Sequence, residues 1–222
     1  MTNYPKTPRN RVKRLPKRGH YDQETIFKIL DSHFVCHVSF VVDGQPFIIP
    51  TIYGRHGEDI YFHGAGKSRL MQNLGQGIAV AFCVTQVDGI VLARSAFHSS
   101  LNYRSVVVFG QANVVPENEK MAALEVVTNH IIPGRWDEAR PVTPKELKAT
   151  SVLKMTIESA SAKIRTGGAN DEPEDYALPV WAGVIPMYTG MKPCLPDDQL
   201  DPQVPVPSSV HQYPSRRFNP EP

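Results

Sequence analysis

The chain has 222 residues, 41% hydrophobic and 21% charged, which is globular rather than disordered composition and enough apolar content for a core. A formal net charge of +2 singles out no partner, although Arg9, Arg11, Lys13, Arg14, Lys17 and Arg18 crowd into one N-terminal segment. No run of about eighteen apolar residues occurs, so no spanning helix is expected, and no apolar stretch follows the basic start as a secretory signal would require. Cys36, Cys83 and Cys194 are odd in number and widely spaced. They argue against a disulfide framework and fit a reducing cytoplasm.

In chain order, residues 1–20 read as a basic arm without a core of its own. It is either solvated or laid over an anionic ligand or a partner subunit. The folded part runs over 21–191. Asp22 can cap a short helix whose apolar residues are Ile26, Ile29 and Leu30. Phe34 to Val42 is β-branched and aromatic, Asp43-Gly44 can close a tight hairpin, and Gln45 to Arg55 reads as the return strand. Pro50 inside that strand points to an edge, a bulge or a ligand-facing stretch. Asp59–His63 follows as a strand, then a short helix over Lys67–Leu74 closed by Gly75. Gly77–Val87 is a strand that Asp88-Gly89 turns into Ile90–Arg94. Asn102–Val115 is a long strand. Glu117–Ile132 is a helix with Met121, Leu124, Val127 and Ile131 at helical spacing. Thr143-Pro-Lys-Glu146 has the capping-box pattern, and Ser151–Glu158 is the last strand expected. The tail, 192–222, is proline-rich and reads as extended, ordered only where it docks. Many short strands and few helices exclude a doubly wound parallel sheet and favour an antiparallel barrel or sandwich.

The most informative stretch is Ile60-Tyr-Phe-His-Gly-Ala-Gly-Lys-Ser-Arg-Leu70. A strand ends at Phe62–His63, small residues turn the chain, and Lys67, Ser68 and Arg69 open a helix. Glycines admit close approach of a ligand, and free backbone N–H groups, two cations and a hydroxyl suit a phosphate or carboxylate. A surface turn with solvated basic residues explains the same letters. A P-loop is excluded, because Tyr61 stands where its first glycine would be. Ile48-Ile-Pro-Thr-Ile-Tyr53 is a half-buried strand or a strand turned toward a ligand. Arg94-Ser-Ala-Phe-His-Ser-Ser-Leu-Asn-Tyr-Arg-Ser105 is a polar loop with two arginines; no elbow glycines flank Ser95 or Ser99 beside His98, so nucleophilic catalysis is not expected. No metal site is expected either. His33 and His37 would stand ~13 Å apart on one strand face, and the cysteines lack zinc spacing. Haem needs only one axial histidine and stays open.

The succession Phe47-Ile-Ile-Pro-Thr-Ile-Tyr53, Tyr61-Phe-His-Gly64, Lys67-Ser-Arg-Leu70 and Asn102-Tyr-Arg-Ser-Val-Val-Val-Phe-Gly110 resembles the flavin mononucleotide (FMN)-binding split barrels. Among these pyridoxamine-phosphate-oxidase-like proteins it is most similar to the flavin-nucleotide-binding and nitroimidazole-resistance branch. The similarity runs from about Arg11 to about Pro186. It implies a mainly β fold, a six-stranded antiparallel split barrel with a few flanking helices. It further implies a homodimer with FMN at the subunit interface.

Carried over, the resemblance sets Pro50, Thr51, Ile52 and Tyr53 beside the flavin ring. Phe62, His63 and Gly64 fall near the ring and ribityl chain. Lys67, Ser68 and Arg69 fall at the phosphate. Ser105 stands where pyridoxamine-phosphate oxidases often carry a glutamine, and Trp181 in a closing segment that can reach the cofactor from the partner chain. The arginine- and histidine-bearing substrate segment of true pyridoxamine-phosphate oxidases has no counterpart in the proline-rich tail, which argues against vitamin B6 oxidation. The branch places a histidine at the position of His63, which makes His63 the candidate for proton transfer. The expectation is a cytoplasmic FMN-dependent oxidoreductase acting on a small flat molecule such as a nitroaromatic. A non-catalytic flavin- or haem-binding carrier or sensor is the alternative, and nucleic-acid binding through the arm is not favoured.

Overall fold

The computed structural model describes residues 2–217. Its contacts gather into two compact units. The first holds residues 2–30, 83–108 and 159–189; the second holds 31–82, 109–158 and 190–217. The strands are β1 (Gly19–His20), β2 (Val35–Val42), β3 (Gln45–Ile52), β4 (Gly54–His56), β5 (Asp59–Ala65), β6 (Gln76–Leu92), β7 (Ser100–Val114), β8 (Thr150–Thr156), β9 (Ser159–Arg165) and β10 (Gly183–Pro186). The helices are α1 (Gln23–Asp31), α2 (Arg69–Leu74), α3 (Lys120–Ile131), α4 (Arg135–Glu138), α5 (Pro144–Ala149) and α6 (Ser208–Arg217). The sheet order is β3-β2-β6-β7-β8-β5-β4, with β1 on β9, β9 on β7 and β10 on β6. This is mainly antiparallel β, as the sequence suggests, with ten strands among the described residues where six are expected.

In the second unit, Asp43 and Gly44 take φ of 50° and 76°, the pair of positive values that a two-residue hairpin needs. The turn sets the register Val42↔Gln45 through Val35↔Ile52. Cys36, Val38 and Phe40 are thereby buried opposite Thr51, Ile49 and Phe47, while His37, Val41, Ile48 and Pro50 share the outer face. β3 ends the strand order, which is where a proline inside a strand is tolerated. The expected strand over Gln45 to Arg55 is broken at Tyr53. Its N–H donates to the Phe34 carbonyl (3.2 Å), and its fully buried ring meets Phe82 edge-on at 4.9 Å. Gly54 follows because α3 packs on the backbone there: a Cβ would lie 2.6 Å from Val127 Cα.

α3 buries Lys120, Ala123, Leu124 and Val127, leaving Met121 exposed. The buried stripe therefore departs from the expected spacing at its start, after a 3-10 turn over Glu117–Glu119. α5 forms the complete capping box, Glu146 N–H to Thr143 Oγ1 and Thr143 N–H to the Glu146 carboxylate. The tail, expected to be extended, forms α6 within its described residues, and 218–222 lie outside them. Ser209 ties it down by donating its N–H to Glu138 Oε1 (3.0 Å) and its hydroxyl to the same carboxylate.

In the first unit, Asp22 caps α1 by accepting the Thr25 N–H at 2.8 Å, and Ile26, Ile29 and Leu30 are buried as their spacing suggests. The basic arm is anchored: Asn10 Nδ2 donates to the Ala160 carbonyl (3.0 Å), Arg9 to Ser159 Oγ (3.1 Å), and Tyr4 is buried. Two expectations are corrected. Asp88-Gly89 does not turn the chain; β6 runs through it, because β10 pairs there (Pro186↔Gly89) and Arg104 grips the Asp88 carboxylate. Ser151–Glu158 is not the last strand, for β9 and β10 follow. β9 escapes a propensity reading because its buried half, Ser-Ala-Ser-Ala, lacks the branched and aromatic residues that mark strands.

Candidate functional site

Most of the candidate residues lie in the second unit, on β3, on the end of β5 and in the turn before α2. Strand alternation puts Phe62 and His63 on opposite faces of β5. Phe62 is fully buried and stacks on Phe82 (6.3 Å), so it belongs to the core, as does Tyr53. His63 pairs with Val152 of β8 and is half-buried. Among the described residues its enclosed Nδ1 has no hydrogen-bond partner. Burial pushes its pKa below the ordinary 6.5, because a charged imidazole would lose hydration that nothing replaces. His63 is therefore a neutral imidazole near pH 7 with an unused ring nitrogen.

Beyond it, Gly64, Ala65 and Gly66 form the small-residue turn. At Gly66 an added Cβ would sit 2.9 Å from Ser151 Oγ on β8, a hydroxyl that a side-chain rotation can move. Ser68 is the N-cap of α2, accepting the Met71 N–H at 3.4 Å, and its own N–H returns to the Ala65 carbonyl at 2.8 Å. Its hydroxyl oxygen is thus engaged by the helix. Lys67 and Arg69 are exposed. Among the described residues neither has an ion pair or a side-chain hydrogen bond. The Arg69 guanidinium lies over the Phe47 ring at 4.9 Å, and that ring stacks on Phe40 at 5.5 Å. This contact joins the turn to the β3 face of Phe47, Ile49 and Thr51. Phe47 as a platform for Arg69 is not visible in the sequence. The only hint is that it alternates with Ile49 and Thr51 behind the Asp43-Gly44 turn.

On β3, Thr51 is half-buried and its carbonyl accepts the Cys36 thiol at 3.4 Å, while Pro50 and Ile48 face outward, Ile48 66% exposed. Ile52 is half-buried on the Pro50 face. The structure thus brings Thr51, Phe47 and Arg69 to one side of the hairpin and leaves Pro50 and Ile52 on the other.

Ser105 and Trp181 belong to the first unit. The Ser105 hydroxyl donates to the Lys163 carbonyl at 3.4 Å. Trp181 is 67% exposed, with its ring folded against Gly183. The polar stretch after β6 is committed to structure. Arg94 donates side-chain and backbone N–H groups to Asp171 (3.0 and 2.9 Å), and Arg104 makes a forked pair with Asp88. Burial alone would raise the Asp171 carboxyl. The Arg94 side chain, the backbone N–H groups of Arg94 and Ser95 and the Arg94 charge hold it below its ordinary 3.8. Among the described residues no three His, Cys, Asp or Glu side chains converge as a metal site, and no helix is long and apolar enough to cross a membrane.

The family model of pyridoxamine 5'-phosphate oxidase matches residues 22–164. Among solved structures, the flavocytochrome Anf3 from Azotobacter vinelandii is 40% identical, over 93% of this chain and 96% of that one, with a TM-score of 0.87. The FAD and haem binding protein from Mycobacterium smegmatis is 36% identical over 87% and 96%, with a TM-score of 0.85. A 5-nitroimidazole antibiotic resistance protein from Bacteroides thetaiotaomicron shares the fold at 18% identity, over 64% and 84%, with a TM-score of 0.55. No curated protein matches the chain.

Proposed function

Because the chain belongs to the pyridoxamine 5'-phosphate oxidase family, with its split-barrel fold, we propose that it is a flavin-dependent oxidoreductase. The observation that carries this reading is the turn over 64–69. Among the described residues two cations, Lys67 and Arg69, stand there without a carboxylate, beside a buried imidazole nitrogen without a partner. That donor set fits the phosphate of a flavin nucleotide. Lys67 is a point charge for it, and Arg69 is oriented by Phe47. Thr51 and the β3 backbone support the ring, with Pro50, Ile52 and Tyr53 as neighbours on the strand. Gly64 lets the chain pass close, Phe62 braces the strand end from the core, and Ser68 holds the turn in shape. The flavin, when bound, supplies the two-electron redox chemistry. His63, neutral near pH 7, accepts or relays a proton at Nδ1.

FMN is the flavin proposed, with a small flat substrate such as a nitroaromatic. The phosphate turn serves FAD equally, and a relative is named for FAD. The protein is further proposed to act as a homodimer with flavin at the interface, where Ser105 and Trp181 complete the site. Exposed Leu178, Val180, Trp181, Ile185, Met187 and Tyr188, the last 85% exposed, support an interface on the first unit. Cytoplasmic residence is proposed on the three free cysteines.

A second reading is favoured by the names of two relatives, a flavocytochrome and a FAD and haem binding protein: the chain carries haem as well as flavin and serves as carrier or sensor. Absorption spectra before and after adding FMN, FAD or haemin, with dialysis, separate these readings. Retained flavin bands, with reduction of a nitroaromatic by reduced nicotinamide, are expected. A protein that retains no flavin overturns the oxidoreductase reading.

A further inference from the structure

The first unit holds the basic arm in one shape. Asn10 is buried; its Oδ1 accepts the Thr7 N–H at 2.7 Å, and its Nδ2 donates to the Pro5 and Ala160 carbonyls, both at 3.0 Å. The turn closed in this way sets Lys6 and Arg11 at its two ends, and the Arg11 N–H returns to the Thr7 carbonyl at 3.0 Å. The next N–H, of Val12, donates to the Tyr21 hydroxyl at 2.9 Å. These ties shape a pocket of about 460 Å³, inside the range of about 300–1,000 Å³ typical of small-molecule sites. Lys6, Arg11 and Lys13 line it together with Pro8, Val12 and Pro16. We propose that this pocket binds a phosphorylated small molecule, with the three cations on the phosphate and the prolines and Val12 against its organic part.

Residues 1–21 carry seven cations and no acidic residue. Like charges fixed this close repel, so holding them in place costs stability unless an anion offsets the repulsion. Among the described residues, none of Lys6, Arg11 and Lys13 has an ion pair or a side-chain hydrogen bond. The Lys6 ammonium lies instead over the Tyr21 ring, 4.9 Å from its centroid, which holds the charge at the pocket without neutralising it. The next carboxylate along the chain, Asp22, is occupied, since it accepts the Thr25 N–H at 2.8 Å and caps α1. The same sign prevails at β9. Buried Arg165 meets neutral oxygens of Asn102, Gly167 and Gly168, and burial first, then the Arg18 charge, push its pKa below its ordinary value. A solvated arm needs none of the ties from Asn10 and Tyr21. A phosphate suits the pocket better than a single carboxylate, because it brings two negative charges to three cations and several oxygens to the Arg11 fork. The site does not rest on the flavin reading, whose phosphate turn belongs to the second unit.

The test is isothermal titration calorimetry of the full chain at low salt with phenyl phosphate, inorganic phosphate and phenol, beside an FMN titration. The parent is compared with Arg11→Ala/Lys13→Ala and with Lys145→Ala/Lys148→Ala, two exposed lysines of α5 whose loss changes the net charge equally. Phenyl phosphate is expected to bind the parent, inorganic phosphate to bind more weakly, and phenol not to bind. Arg11→Ala/Lys13→Ala should weaken phenyl phosphate at least tenfold with an unchanged circular dichroism spectrum, and Lys145→Ala/Lys148→Ala should behave as the parent. A parent that ignores phenyl phosphate overturns the site, as does an equal loss in the two double variants, which would report overall charge. Inorganic phosphate binding as tightly as the ester removes the organic ligand and overturns the proposal in that form. A single-stranded DNA bound through Arg11 and Lys13 by a parent that ignores phenyl phosphate makes the arm a nucleic-acid surface and also overturns it. Displacement of phenyl phosphate by FMN, with flavin affinity lowered in Arg11→Ala/Lys13→Ala, joins the pocket to the flavin site and overturns it as a separate one. A parent that binds phenyl phosphate but no flavin supports this site while overturning the proposed function.

Discussion

Two basic stretches that look alike as letters behave differently in the fold. Around Arg94 and Arg104 the first unit supplies a counter-group for each cation, Asp171 for Arg94 and Asp88 for Arg104, although Arg94 Nε is itself buried without a partner among the described residues. Buried Arg165 is satisfied by the Asn102 side chain and the Gly168 carbonyl. Around Lys67 and Arg69 the described residues of the second unit supply none, and they enclose His63 Nδ1 without a partner. Paired charge in a protein is usually architecture, since a buried charge left alone is costly. Unpaired charge beside an orphaned polar atom is a place where the fold leaves the partner to something else.

The largest effect is expected at the unpaired cations. Lys67→Ala with Arg69→Ala should weaken flavin binding roughly 10²-fold or more, the loss of two charge-assisted contacts, while far-ultraviolet circular dichroism and Tm stay near the parent's. Equal affinity for FMN in the double variant would place the phosphate elsewhere. The opposite pattern is expected at the paired arginine. Asp171→Ala should lower Tm by several degrees by stranding Arg94, and leave any flavin affinity unchanged. The Asp171 carboxyl is held below 3.8 in the fold, so its contribution is complete above that value. It is lost as pH falls through the lower folded pKa, and Asp171→Asn should flatten acid unfolding in that range.

His63 gives a smaller, pH-dependent signature. Its folded pKa lies below 6.5, so the unfolded chain binds the proton first. Stability from keeping it neutral is complete above 6.5 and fades as pH falls below it toward the folded value. Tm measured between about pH 7.5 and 5.5 should therefore fall less in His63→Gln than in the parent. Identical slopes would show that the imidazole is not buried in its neutral form. The smallest effect is expected at Phe47. Phe47→Leu removes the ring under Arg69 and should cost ~2–5-fold in flavin affinity. No change would leave Arg69 to find the phosphate unaided.

Much of the fold is legible along the chain because its signals are local. The Asp43-Gly44 hairpin, the Asp22 cap of α1 and the Thr143–Glu146 capping box each depend on residues within a few positions, and all three form. The turn over 64–69 is legible as a motif, but its two meanings, ligand site or solvated loop, are not separable there. They differ only in whether an acid from elsewhere in the chain comes to meet the cations.

By itself, then, the sequence determined the antiparallel character, the hairpin, the caps of α1 and α5 and the small-residue turn, since backbone conformation there follows from neighbours. Only the tertiary structure decided what long-range contact controls. It broke the strand at Tyr53, because α3 packs on Gly54. It carried β6 straight through Asp88-Gly89, because β10 and Arg104 hold it there. It folded part of the proline-rich tail into α6, which Ser209 holds to Glu138 from 71 residues away. Hydrogen bonds and burial between distant residues outweigh local propensity wherever the two disagree.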